Sequence, residues 1–353
     1  MNYDITFHPS WWHQYAGVDF VQDFFDDPAY RMDCDLKMQR TLYDHFGKYG
    51  LGRKQPEKRP ILGTDYLAAG YLYSELMGCE IRYQPDNSPQ VLCRNLEIEE
   101  AAALSAPVLA ESEVWARTQR QIDWLQQTFG RVEIHVNLQG IQNVAMDLLG
   151  EELLIAYYTE PELAQKVLQT VTDLTIDVGR RFRMLSDELS GGVTAIIRRD
   201  APKAYLTSNC TVEMISNEMY EQFLLPMDQQ LAETFSPFAI HHCGKSMEHV
   251  VRGYSKVPHL QFAEVGAFSD VKAVRRALPG VFLNARYSPV RLMRASREEI
   301  FSEVEALHRD GAENGGRISV SCVGIDSKMP EQQLLHFLDA CEAVSQKYAS
   351  AAI

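Results

Sequence analysis

The sequence lacks a basic surplus, an amino-terminal leader pattern and a long apolar run, and each absence excludes a class of protein. Basic residues number 34 against 48 acidic ones, a formal net charge of −14, which argues against binding to nucleic acid or to an anionic membrane. Residues 1–12 show no basic stretch followed by an apolar run, so no secretory signal is expected. No apolar run reaches the ~20 residues of a membrane span. We therefore expect a soluble cytoplasmic protein with no nucleic acid or membrane as partner.

The cysteines lack the paired spacing of a disulfide framework. There are seven, an odd and scattered set, which fits a reducing compartment. Four of them, Cys34, Cys79, Cys93 and Cys341, stand in no recognisable chemical context, and we interpret them as ordinary core or surface residues. Cys210, in the segment 207–210, remains ambiguous.

No Gly-x-Gly-x-x-Gly turn follows any predicted strand, which argues against a dinucleotide-binding sheet. What is present is an alternation of strands and helices. Strands are predicted at residues 61–65, 132–138, 192–197, 238–242, 259–263, 280–284 and 317–321. Helices are predicted at residues 113–129, 160–185, 216–234, 247–254, 271–277, 297–309 and 331–348. A hairpin is predicted from 80–83 and 89–94 around a turn-rich segment.

This alternation predicts βαβ units with a parallel sheet. The strand count and the missing dinucleotide turn favour an α/β fold of the (β/α)8 TIM-barrel type over residues 61–353. A hydrophobic content of 46% is ample for its core. Residues 1–60 are aromatic and weakly periodic, and we expect an amino-terminal helical extension or lid.

Polar side chains follow the apolar part of strand after strand. They are Asn137, Gln139, Arg198, Arg199, Asp200, His241, Cys243, Glu264, Asn284, Arg286 and Cys322. Because active sites of such barrels assemble at the carboxyl ends of the strands, these side chains are expected to converge on one mouth.

Three of these residues form a candidate metal site. His241 and Cys243 are two positions apart, so on a strand both point to one face, whereas His242 points away. Cys322 closes another strand-like run. One imidazole and two thiolates are ligands that zinc accepts, and three protein ligands leave an open position, as in catalytic zinc sites. The alternative is three inert buried residues, because free cysteine is often buried.

The ligand set also points to a class of chemistry. Two thiolates make zinc electron-rich, so that it is a poor activator of water and a good partner for a soft donor such as a thiol. Zinc lowers the pKa of a thiol while the thiolate stays nucleophilic. The pattern therefore favours alkyl transfer, especially methyl transfer, over hydrolysis.

The chain resembles the uroporphyrinogen decarboxylase-like superfamily, and within it the zinc-dependent corrinoid methyltransferases. The similar segments are residues 63–65, 77–80, 140, 149–150, 159–161, 219–226, 240–244, 283–284 and 288–289. The most specific feature is the His-x-Cys…Cys pattern. The resemblance implies a (β/α)8 barrel, Zn²⁺ on His241, Cys243 and Cys322, and a corrinoid (methylcobalamin) carried by a partner protein.

The chain departs from this family near its amino terminus. Residues 8–15 have no arginines comparable with those that hold the carboxylates of tetrapyrroles, so decarboxylation of a tetrapyrrole is not expected. The segment is instead aromatic, with Trp11, Trp12, Tyr15, Phe20, Phe24 and Phe25. These rings either cover the site, which would suit a methoxylated aromatic substrate, or seal the bottom of the barrel.

We assign provisional roles to the remaining polar residues. Glu264 is either a fourth ligand or a group that orients His241. The candidate catalytic residues are Glu264, Asn209 and Asp200. The candidate substrate-binding residues are Arg199, Asn284, Arg286, Asn137 and Gln139.

The leading hypothesis is a zinc-dependent methyltransferase. It would move a methyl group between a small substrate, of methoxy-aromatic, methylamine or thiol type, and the cobalt of a corrinoid-binding protein. A second hypothesis is a metal-independent lyase that acts on a carboxylated substrate through Arg198, Arg199 and Arg286. A third is a non-catalytic carrier of a corrinoid or a thiol.

Overall fold

The computed structural model of the protein describes residues 1–187, 189 and 195–350. Ten strands form within these residues: β1 (Asn2–Phe7), β2 (Ile61–Gly63), β3 (Glu80–Gln84), β4 (Asn87–Leu92), β5 (Glu133–His135), β6 (Tyr205–Ser208), β7 (Phe238–His241), β8 (Leu260–Val265), β9 (Phe282–Tyr287) and β10 (Ile318–Ile325).

Helices alternate with the strands along most of the chain. In the described residues they are α1 (Pro9–Ala16), α2 (Gln22–Asp26), α3 (Pro28–Phe46), α4 (Leu72–Leu76), α5 (Ile98–Ala102), α6 (Glu113–Phe129), α7 (Ile141–Leu149), α8 (Glu152–Thr159), α9 (Pro161–Leu185), α10 (Ala195–Asp200), α11 (Asn217–Met219), α12 (Leu225–Thr234), α13 (Val251–Tyr254), α14 (Val271–Ala277), α15 (Pro289–Arg294), α16 (Arg297–Gly311) and α17 (Glu331–Ser350). A π-helical turn, Tyr220–Leu224, joins α11 to α12.

The central feature is a curled sheet of six parallel strands in the order β1-β10-β9-β8-β7-β6. A separate parallel pair, β2 and β5, lies beside it, and a single bridge between Gln139 and Ser208 connects this pair to β6. Among the described residues no ladder joins β1 to β2. The expected α/β fold with a parallel sheet is therefore confirmed, and it takes the form of a curled sheet with a two-stranded extension.

Gly140 makes the close approach between the chain after β5 and strand β6 possible. Its backbone N–H donates to the carbonyl of Ser208 at 3.1 Å. A Cβ on residue 140 would lie 2.3 Å from that carbonyl oxygen, which is too close for any side chain. The start of α7 is thereby held against the carboxyl end of β6.

Helix termini follow the signals in the sequence. Pro161 begins α9, where its missing N–H leaves no helical hydrogen bond unmade. Ser296 and Glu299 form a reciprocal capping box at the start of α16. The helices predicted at 113–129 and 271–277 and the hairpin of β3 and β4 are confirmed.

Two predictions about secondary structure are wrong. Residues Asn2–Phe7 are not helical: they form β1, which pairs with β10 in the sheet. The prediction of a strand at 192–197 is also wrong for the residues of this segment that the structure describes. Residues 192–194 lie outside the described residues, Ala195–Asp200 is the helix α10, and the strand at this place in the order is β6.

The aromatic side chains near the amino terminus lie in a core cluster. Trp11, Trp12, Phe20 and Phe24 are buried together with residues of α17 such as Phe337. Trp12 also donates its indole N–H to the carbonyl oxygen of Tyr66 at 3.2 Å. These rings therefore anchor the segment α1–α3 on the sheet.

None of the helices in the described part of the chain combines the length and the apolarity that crossing a bilayer requires.

Candidate metal centre

Two neighbouring strands bring three metal-binding side chains together. His241 is the last residue of β7, Cys243 lies two residues beyond it, and Cys210 lies two residues beyond the end of β6. Ser208 is paired with His241 in the parallel ladder, and the N–H of Asn209 donates to the His241 carbonyl at 2.8 Å. One donor atom from each of Cys210, His241 and Cys243 lies within 4.8 Å of the other two.

A buried carboxylate orients the imidazole of this group. Nδ1 of His241 is hydrogen-bonded to Glu264, a fully buried residue of the adjacent strand β8. Nη2 of Arg286, from β9, lies 3.2 Å from the same carboxylate and 3.0 Å from Nδ1. Because Glu264 occupies Nδ1, Nε2 is the nitrogen left for a metal ion. Of the two roles considered for Glu264, its position matches the one that orients His241.

The protonation states follow from these contacts. Burial and the Arg286 guanidinium lower the pKa of His241, but the Glu264 carboxylate and Cys243 outweigh them, and the net pKa is raised. A hydrogen bond from Cys210 lowers the pKa of the Cys243 thiol, and His241 and Arg286 act in the same direction. The same hydrogen bond, together with burial, raises the pKa of Cys210. The hydrogen bond between the two sulfurs thus favours the thiolate form of Cys243 over that of Cys210.

The donor set fits zinc. One imidazole and two thiols are ligands that Zn²⁺ takes in proteins, and three of them leave a fourth position open. Cys243 is exposed, Cys210 is half-buried, and both line one cavity.

His242 does not take part. It is buried, its Nδ1 lies 2.9 Å from the hydroxyl of Tyr254, and its Nε2 lies 3.1 Å from the carbonyl oxygen of Ser246. Burial lowers its pKa to about 4. This confirms that His242 points away from His241 and Cys243.

Contrary to the prediction, the structure does not bring Cys322 to His241 and Cys243. Cys322 is buried in the cluster that also holds Phe337 and Cys341 of α17, and it is absent from the group of metal-binding donors in the described residues. Side chains alternate along β10: Ser319 and Ser321 bind Asn284, so Cys322 points to the opposite face. Burial also raises the pKa of the Cys322 thiol, which disfavours the thiolate that zinc needs.

A cavity of about 450 Å³ opens over the three donors. Three of the predicted substrate-binding residues, Arg286, Asn137 and Gln139, line it. The remaining lining residues are Ala68, Gly70, Val91, Asn143, Met146, Asp147, Ser208, Cys210, Thr211, His241, Cys243 and Val323. The tryptophans of α1 are not among them.

Two predicted site residues are buried away from this cavity. Asn209 donates through Nδ2 to Asp228 at 2.8 Å, and the hydroxyl of Tyr220 donates to the same carboxylate at 2.7 Å. Asn284 is fully buried between two serines of β10, donating to Ser319 at 2.9 Å and accepting from Ser321 at 2.7 Å. Both amides hold neighbouring segments together and, contrary to the prediction, neither lines the cavity.

Arg199 and Asp200 lie at the opposite end of the sheet. Arg199 donates to the carbonyl oxygen of Tyr3 at 3.3 Å, and Asp200 accepts from Asn2 at 2.5 Å. Asn2 and Tyr3 begin β1, whereas the metal-binding residues follow the ends of parallel strands. Contrary to the prediction, the structure does not bring them to the cluster, because α10 carries them to the amino ends of the strands.

Sequence reasoning missed three residues of the site. Cys210 follows β6, which lies later in the chain than the strand predicted at 192–197. Asn143 accepts from the N–H and the hydroxyl of Thr211 at 3.0 and 2.8 Å and donates to the Ser208 carbonyl at 2.8 Å, so it fixes the loop that carries Cys210. Asp147 lies one helical turn further along α7. The spacing of Cys210 from β6, equal to that of Cys243 from β7, is the signal that could have revealed it.

Comparisons with known proteins agree with this architecture. A "methyltransferase from Methanosarcina mazei" superposes with a TM-score of 0.67 over 96% of this chain and 93% of its own, at 14% sequence identity. That likeness shows a shared fold. A mutant of the methylaspartate ammonia lyase from Clostridium tetanomorphum gives a TM-score of 0.29 at 8% identity, over 67% of this chain and 50% of its own, too low to support any inference.

The sequence was compared with curated proteins and with models of protein families. No curated protein matches the sequence. Residues 71–344, more than three quarters of the chain, match the family described as Uroporphyrinogen decarboxylase (URO-D). The chain therefore belongs to the URO-D family.

Proposed function

We propose that this protein is a zinc-dependent methyltransferase that exchanges a methyl group between a small substrate and the cobalt of a corrinoid carried by a partner protein. The observation that carries the proposal is the cluster of Cys210, His241 and Cys243 at the floor of a cavity of about 450 Å³. We further propose that the curled sheet and the β2–β5 pair together make up the (β/α)8 barrel typical of such enzymes.

The residues of the site have distinct tasks. Cys210, Cys243 and Nε2 of His241 would hold the ion. A bound zinc ion would lower the pKa of a substrate thiol and keep it nucleophilic at neutral pH. Glu264 fixes the ring of His241 and Arg286 balances the charge of that carboxylate. The cavity walls then position the substrate over the open side of the cluster.

The corrinoid is supported by the resemblance of residues 240–244 to the zinc motif of methylcobamide:thiol methyltransferases. The fold shared with a methyltransferase from Methanosarcina mazei is compatible with it. In this proposal the cavity presents the substrate to a methyl carrier that arrives from outside the chain.

The lyase hypothesis has less support from the positions of the arginines. Arg199 lies at the amino ends of the strands, at the other end of the sheet from the cavity. Arg286 lines the cavity, but its charge is already balanced by the buried Glu264.

The test measures bound metal and methyl transfer in one set of variants. The protein, purified under reducing conditions, is analysed for zinc and assayed for methyl transfer between free methylcobalamin and a thiol. We expect about one zinc per chain and transfer that is lost in Cys210→Ser and Cys243→Ser. Cys93→Ser changes an exposed cysteine outside the cluster and serves as the matched control. Activity that survives strong chelation and the Cys210→Ser change would refute the proposal.

A further inference from the structure

Asp147 is a carboxylate in the cavity without a positively charged partner among the described residues. Its Oδ2 accepts from the Ser74 hydroxyl at 2.6 Å and from Nε2 of Gln139 at 3.2 Å. Its Oδ1 makes no hydrogen bond with the described residues. No lysine or arginine among the described residues shifts the pKa of Asp147. Burial raises this pKa, and only the hydrogen bonds from Ser74 and Gln139 lower it. The carboxyl group of Asp147 thus lines the cavity in partly desolvated surroundings that hold no positive charge to stabilise its ionised form.

The position of Asp147 relative to the cluster is set by helix α7. Asn143 and Asp147 are four residues apart, so their side chains share one face of the helix with Cβ atoms about 5–6 Å apart. Asn143 binds the loop of Cys210 and also reaches the Cys210 thiol itself. Asp147 and the two thiols therefore line one cavity, and Asn143, one helical turn before Asp147, contacts the loop of Cys210.

The other charged groups of the cavity do not neutralise Asp147. Arg286 is the guanidinium on the lining, and it contacts Glu264 and His241. The ionised form of a partly buried carboxyl is stabilised when an opposite charge binds beside it. A metal ion is not the obvious candidate, because Asp147 is not among the clustered metal-binding donors of the described residues.

We propose that Asp147 binds the cationic end of the substrate, so that the molecule acted on at the cluster is a small organic ammonium compound. This rests on the proposed function, because the reacting group of the substrate is taken to sit at Cys210, His241 and Cys243. Gln139 and Ser74 hold the carboxylate in place, and its Oδ1 accepts the ammonium N–H groups. A charge-assisted hydrogen bond of this kind is roughly twice as strong as a neutral one.

The test compares three small thiols that differ in the charge of their far end. They are 2-aminoethanethiol, 2-mercaptoethanol and 3-mercaptopropionate, titrated into the cobalt-loaded protein while the sulfur-to-metal absorption band is followed. The thiols differ in their own acidity. The quantity of interest is therefore the ratio of the dissociation constants of Asp147→Asn and the wild type for each thiol.

We expect the Asp147→Asn change to weaken binding of 2-aminoethanethiol by about tenfold or more, as loss of a charge-assisted hydrogen bond does. Binding of 2-mercaptoethanol should stay the same, and binding of 3-mercaptopropionate should stay the same or tighten. Asp123→Asn, the same chemical change on an exposed face of α6, should alter none of the three. Circular dichroism and urea unfolding establish that Asp147→Asn folds.

Equal ratios for all three thiols, or a larger loss for the neutral or anionic one, would overturn the inference. A second measurement tests the role of Asp147 independently of the proposed function. The Tm of the metal-free protein is measured with 2-aminoethanethiol and with 2-mercaptoethanol. A stabilisation that only the ammonium compound gives, and that Asp147→Asn removes, supports the inference even if no thiol reaches the metal. If this stabilisation is absent, the role of Asp147 in binding the ammonium group is refuted, but the proposed function is not.

Discussion

Two cysteine-to-serine variants test whether Cys210, as in the structure, or Cys322, as in the sequence pattern, is the third ligand. Cys210 lies beside His241 and Cys243, whereas Cys322 lies on the opposite face of β10 in an apolar cluster. We therefore expect Cys210→Ser to lose the metal and keep its stability, and Cys322→Ser to keep the metal and lose stability. The two substitutions are chemically identical, so each serves as the control for the other.

The magnitudes follow from the surroundings of each sulfur. Cys322 has no exposed surface, and the side chains buried in the same cluster include Val320, Phe337 and Cys341. A hydroxyl placed there without a partner costs on the order of 1–3 kcal/mol. Cys210 is half-buried beside a cavity, so a serine there costs little folding energy. Removal of one of three ligands lowers metal affinity by at least the ~10–100-fold measured for the supporting partners of ligands.

The assay uses zinc content by atomic absorption and urea unfolding of the metal-free proteins. Metal-free samples are required because a bound ion would add its own stabilisation to the wild type. If Cys322→Ser emptied the site while Cys210→Ser retained zinc at the wild-type level, the ligand set inferred from the structure would be refuted. The site would then require a rearranged carboxyl end of β10.

Three further predictions concern groups around the site. Glu264→Gln removes the charge that orients His241 and should lower zinc affinity by about 10–100-fold in a chelator competition, with unchanged affinity as the contrary result. Burial raises the pKa of Asp228 from 3.8 to about 6, so the folded protein binds the proton more tightly and stability falls as pH rises between about 4 and 6. Asp228→Asn should therefore raise the free energy of unfolding at pH 7 by up to about 3 kcal/mol and give little gain near pH 4, as measured by urea unfolding. Gly140→Ala places a Cβ 2.3 Å from the Ser208 carbonyl oxygen, so it should destabilise the protein by about 1–3 kcal/mol and cause loss of metal. A variant with unchanged stability and unchanged metal content would contradict the close approach.

The parallel α/β architecture could be predicted from the sequence because its signals are local. Helices such as α6 and α16 carry amphipathic patterns and caps, and strands β7–β10 are short apolar runs between them. The hydrogen-bonded order of those strands also follows their order in the chain. These features do not depend on contacts between distant residues.

The wrong predictions fall where local signals are ambiguous. The apolar run at 192–197 is as typical of a strand as of part of a helix, because periodicity does not separate them in short segments. Its described part is helical. The strand β1 does alternate apolar Tyr3, Ile5 and Phe7 with polar residues, but this signal spans only six residues, and the polar Asp4 and Thr6 are buried as well. Its pairing with β10 defines it as a strand.

Two of the three candidate ligands could be predicted from the sequence, and the third could not. His241 and Cys243 could be found because both lie at one strand end, two residues apart. The third donor required knowing which face of a strand meets the cavity. Cys322 is in phase with Ile318 and Val320, the apolar positions of β10, and this phase is the indication that it faces the helices.

All three donors come from the ends of two adjacent hydrogen-bonded strands, β6 and β7, within residues 210–243 of the chain. The proposed ion-binding unit is therefore compact, and its geometry depends on the pairing of β6 with β7 and on the contacts of Asn143 with the loop of Cys210. The opposite wall, contributed by α7 and by the segment after β2, lies across the single bridge from Gln139 to Ser208. Substitutions on that wall that leave Gly140 and Asn143 intact can change which molecule is accepted without disturbing the three donors. Substrate preference and metal affinity can then diverge independently during evolution or engineering.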